Sequence, residues 1–104
     1  MSNVNWIKVA KIGDVPSNTG LAVEAEGQAI ALYKVDGQVY ALDGVCPHAG
    51  GPLAEGSLSG CLAMCPWHGW EFNVKTGRCD FNPEISTKTF PVKVINNEIF
   101  VEIS

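Results

Sequence analysis

Cys46-Pro47-His48-Ala49-Gly50-Gly51-Pro52-Leu53 and Cys65-Pro66-Trp67-His68-Gly69-Trp70-Glu71-Phe72 are the two stretches that decide how this chain is read. Each contains one cysteine and one histidine in a short box, C-x-H in the first and C-x-x-H in the second. Together they supply two thiolates and two imidazoles, a complete set of four ligands. Zinc fingers group the ligands differently, with both cysteines in one knuckle and both histidines on a helix. One ligand of each kind per loop suits a binuclear cluster, in which the cysteines hold one metal and the histidines the other. A mononuclear zinc site stays open at this point, because cysteine and histidine also suit zinc.

The second box runs on into Thr76-Gly77-Arg78, and from about Trp6 to Ile103 the chain resembles the small soluble Rieske ferredoxins. The resemblance implies one [2Fe–2S] cluster per chain. Cys46 and Cys65 would bind the inner iron, and His48 and His68 the outer, more exposed one. With neutral imidazoles such a cluster is uncharged when oxidised, whereas a four-cysteine cluster is a dianion. Adding an electron to a neutral centre costs less, so the His₂Cys₂ type lies at about −150 to +300 mV against about −400 mV for the plant type.

Two departures from the high-potential members refine this expectation. Those proteins carry a bracing disulfide between positions that are Gly51 and Trp67 here, so no brace is possible. They also place a serine and a tyrosine, whose hydroxyls stabilise the reduced cluster, where this chain has Trp70 and Phe72. Phenylalanine has no donor. The expected potential is therefore near the lower end of the Rieske range.

A chain of 104 residues is read as one domain, 1–104, able to bury about two-thirds of its surface. It has no room for the separate catalytic domain that a Rieske oxygenase needs. The first residues show no secretory signal, and no apolar run approaches a membrane span, so a soluble cytoplasmic protein is expected. Of the four cysteines, Cys61 and Cys79 lie outside the boxes and are expected as thiols buried in strands. A net charge of −4 argues against nucleic acid as a partner. The acidic residues of the first half could instead steer a basic partner surface.

The rest reads as an all-β fold. Short strands are expected at Trp6–Ala10, Leu21–Glu26, Gln28–Val35, Gln38–Leu42, Thr87–Ile95 and Glu98–Ile103, with two-residue turns at Asp36-Gly37 and Asn96-Asn97. Helix is limited to a turn within Pro52–Gly60. Strands near both termini would build an antiparallel β sandwich or partial barrel, with a cluster-binding subdomain at about 44–80. Gly50, Gly51 and Gly69 are read as site glycines that permit close backbone approach, and Gly44, Gly56 and Gly60 as ordinary loop punctuation.

The function that the resemblance implies is one-electron transfer from an NAD(P)H-dependent flavoprotein reductase to a terminal oxygenase, by a carrier that is a monomer when free and not itself an enzyme. The small Rieske subunit of an assimilatory nitrite reductase, partnered by its large subunit, is the alternative within the fold. A zinc-stabilised interaction module without redox chemistry is the alternative from another class.

Overall fold

A computed structural model describes residues 5–47, 50–67, 69–82 and 84–103. Among these residues, ten strands form three antiparallel sheets: β1 (Asn5–Lys11), β2 (Leu21–Ala25), β3 (Gln28–Val35), β4 (Gln38–Asp43), β5 (Leu58–Ser59), β6 (Leu62–Met64), β7 (Glu71–Asn73), β8 (Thr89–Phe90), β9 (Val92–Ile95) and β10 (Glu98–Ile103). The terminal sheet has the order β1-β10-β9, the middle sheet β2-β3-β4-β8 and the third sheet β5-β6-β7. No described helix is long and apolar enough to cross a membrane.

The middle sheet separates two cores. Successive side chains on a strand point to opposite faces, and β3 uses both. Ile30 and Leu32 join Ala41, Phe90, Ile99 and Val101 on the side of the terminal sheet. Ala31 and Tyr33 join Leu42, Leu53, Phe72 and the two box cysteines on the other. This two-sided burial is why Ile30-Ala31-Leu32-Tyr33 reads as an apolar run without polar alternation.

Asp36-Gly37 and Asn96-Asn97 both adopt positive φ at both residues, the geometry of the tight turns that match strand twist. The same geometry occurs at Glu26-Gly27, which joins β2 to β3. The expected long strand Thr87–Ile95 is corrected to two. Pro91 has no N–H to continue a ladder, and there the chain leaves the middle sheet as β8 and enters the terminal sheet as β9. Among the described residues, helix is limited to single 3₁₀ turns, one of them Leu53–Glu55.

Candidate metal centre

The two boxes occupy loops of the same construction. The first loop, 46–51, is closed by the bridge Val45↔Pro52, and the second, 65–70, by the β6–β7 pair Met64↔Glu71. In the first, the Cys46 N–H donates to the Gly51 carbonyl at 2.9 Å and the Gly50 N–H donates to the Cys46 carbonyl at 2.9 Å. In the second, the Cys65 N–H donates to the Trp70 carbonyl at 2.7 Å and the Gly69 N–H to the Cys65 carbonyl at 2.9 Å. Gly50 and Gly69 have φ of 75° and 74°, a conformation that disfavours any side chain. Each loop is thus a six-residue turn with its cysteine first and a left-handed glycine fifth. The repeat was present in the sequence as C-P-x-x-G, in Cys46-Pro47-His48-Ala49-Gly50 and Cys65-Pro66-Trp67-His68-Gly69. Comparing only cysteine-to-histidine spacing hides it.

The loops join the core at their bases. The Gly44 N–H donates to the Ala29 carbonyl and the Leu53 N–H to the Gly44 carbonyl, which ties the first loop to the middle sheet. Cys46 and Cys65 are 1% and 0% exposed, in the same apolar core as Phe72 and Tyr33. The Tyr33 hydroxyl donates to the Leu53 carbonyl at 3.1 Å. Burial, and secondarily the nearby charge of Cys65, hold its phenol well above the ordinary range. The rims of the loops face outward, with Pro47, Pro66 and Trp67 exposed. Trp70 meets exposed Phe81 edge-on, with ring centroids 4.9 Å apart and planes at 86°.

His48 and His68 lie outside the described residues, and no three or more metal-binding side chains converge among the described ones. The described half of the ligand set nevertheless fits an iron–sulfur centre. Two thiols sit at equivalent positions of two equivalent loops, buried beneath an exposed rim, and no disulfide links any of the four cysteines. The positions of the family disulfide are adjacent here too, since a Cβ on Gly51 would lie 2.9 Å from Trp67 Cγ.

The other two cysteines stand apart from this arrangement. Cys79 is buried, in a bridge opposite Phe72. Cys61 departs from expectation: it is half-buried in the turn before β6, where the Asn73 side-chain amide donates to its sulfur at 3.6 Å. Gly56 is also more than punctuation, because a Cβ there would fall on the Met64 carbonyl. Its backbone, directly after the 3₁₀ turn Leu53–Glu55, packs closely on β6.

The chain is similar throughout its length to known proteins. It is 36% identical over 100 residues to the ferredoxin component of the naphthalene 1,2-dioxygenase/salicylate 5-hydroxylase systems of a Ralstonia species, covering 95% of this chain and 96% of that protein. The fold superposes on the Sphingomonas yanoikuyae B1 ferredoxin with a TM-score of 0.88 at 30% identity, covering 96% of this chain and 100% of the other. A Mycobacterium tuberculosis protein named for the small subunit of an NADH-dependent nitrite reductase shares the fold, with a TM-score of 0.89 at 22% identity and coverage of 99% and 98%. The Rieske [2Fe-2S] domain profile matches residues 5–95, and the chain belongs to the Rieske [2Fe–2S] family.

Proposed function

We propose that this protein is a one-electron carrier between an NAD(P)H-dependent flavoprotein reductase and a terminal oxygenase, acting as a free monomer in the cytoplasm. The cluster's inner iron is assigned to Cys46 and Cys65 and its outer iron to His48 and His68. The observation that carries this reading is the matched pair of loops, each holding a buried cysteine under a solvent-facing rim. When bound, the [2Fe–2S] cluster supplies a one-electron couple.

The polypeptide supplies the rest. The paired turns fix the two cysteines against one core, which limits rearrangement between redox states. The exposed Pro47, Pro66 and Trp67 give a partner close approach without either fold opening. Four protein ligands leave no open metal position for a substrate, so the chain carries electrons and does not itself catalyse. The name of the Ralstonia relative, a dioxygenase ferredoxin component, supports an oxygenase as the acceptor.

The functional test is reconstitution. The purified chain, reduced by NADH through a small flavoprotein reductase, should be reoxidised by a Rieske oxygenase in the presence of its substrate. Tight co-purification with a large subunit carrying flavin and sirohaem would contradict the free carrier and favour the nitrite reductase assignment. The ligand assignment has its own test. Alanine at Cys46, Cys65, His48 or His68 should abolish or severely reduce cluster assembly, whereas Cys61→Ser and Cys79→Ser should retain the visible spectrum. Loss of the cluster in either serine variant would mean the ligand set is incomplete.

A further inference from the structure

Trp67 is 58% exposed, yet one part of its indole is held against the opposite loop. A Cβ on Gly51 would lie 2.9 Å from both Cγ and Cδ2 of Trp67, and 3.2 Å from the Cys65 sulfur. The indole therefore rests on the bare backbone of Gly51, and only glycine leaves it room. Gly51 is also the residue whose carbonyl accepts the Cys46 N–H. Trp67 thus reaches from the loop of one cysteine onto the peptide that orients the other.

We propose that Trp67 is a positioning residue, a non-covalent clamp that holds the two loops in register and screens the Cys65 sulfur from water. This rests on the reading that Cys46 and Cys65 hold the cluster. Two consequences follow from the geometry. Without the indole, this contact between the two loops is lost, so the centre opens more readily. Water also gains access to the sulfur side. Reduction adds one negative charge to the centre, and water stabilises the more highly charged state, so unscreening raises the potential.

The test uses isolated holoprotein, with reduction potential from protein-film voltammetry and cluster lifetime from the decay of the visible spectrum under an iron chelator. Trp67→Ala should shift the potential upward and bleach several-fold faster, and Trp67→Phe should restore most of both. Gly51→Ala, whose methyl would meet the indole at 2.9 Å and the Cys65 sulfur at 3.2 Å, should move both readouts in the same direction, with a smaller effect when Trp67 is already alanine. The clamp is overturned if Trp67→Ala leaves potential and lifetime unchanged, or if Gly51→Ala acts equally in both backgrounds. Failure of the underlying ligand reading would look different: the visible spectrum would then survive Cys65→Ser.

Discussion

Phe72 is fully buried in the same core as Cys46 and Cys65, on the strand that leaves the second loop. A hydroxyl introduced there would lie in the core that Cys46 and Cys65 share. Phe72→Tyr should raise the reduction potential, because a phenolic donor stabilises the electron-rich reduced cluster more than the oxidised one. A hydrogen bond to a charged group contributes roughly 1.5–3 kcal/mol, and about 59 mV corresponds to a factor of ten for a one-electron couple. Only the difference between redox states counts, so a rise of some tens of millivolts is expected by protein-film voltammetry. An unchanged potential in a fully assembled variant would mean that position 72 does not face the cluster. Tyr33 makes a second prediction. Tyr33→Phe removes one of two donors to the buried Leu53 carbonyl, which keeps the Gly56 N–H at 3.2 Å, and should cost about 0.5–1.5 kcal/mol in denaturant unfolding. Its folded pKa lies above the unfolded value, so its contribution is fully present below about pH 10 and is lost as pH rises further. The variant should therefore show a shallower alkaline loss of stability than the parent. At this scale the cysteines of the boxes were legible because they stand in motifs. Cys61 was not, since nothing in Gly60-Cys61-Leu62 distinguishes a turn thiol from a strand thiol.

At the scale of elements, the tight turns divide by chemistry. Asp36-Gly37 and Asn96-Asn97 announce positive φ through residues that tolerate it, whereas Glu26 does not, so the break at Gly27 is legible but the expected strand runs one residue too far, to Glu26. Pro91 is the converse case. It was visible, but its effect depends on the terminal sheet lying beyond it, and that is a tertiary fact. Gly56 is likewise decided by a partner distant in sequence. Gly56→Ala should be severely destabilising, on the order of 3 kcal/mol or more, because the methyl collides with backbone at Met64 rather than with a side chain that can turn away. Gly13→Ala, with no atom within 4 Å of the added carbon, is the control and should unfold within about 0.5 kcal/mol of the parent. Equal stability of the two variants in urea titration would contradict the close loop-to-strand contact.

The whole molecule places a small amount of chemistry at one surface of a rigid scaffold. The middle sheet lies between two cores, with β3 buried on both faces, and the box loops grow from its β4 end and from the β6–β7 hairpin. The all-β class and the identity of the boxes were legible because both are carried by short-range patterns. The three-layer arrangement and the equivalence of the two loops were not, since they depend on which strands pair. Electron paramagnetic resonance of the reduced holoprotein distinguishes a cluster held by two thiolates and two imidazoles from every other ligand set proposed for these boxes. With histidines on the reducible iron, a sample containing two irons and two sulfides per chain should give a signal whose average g falls below that of four-cysteine clusters. A spectrum indistinguishable from a plant-type ferredoxin, or a purified protein that contains zinc and gives no signal, would contradict the account.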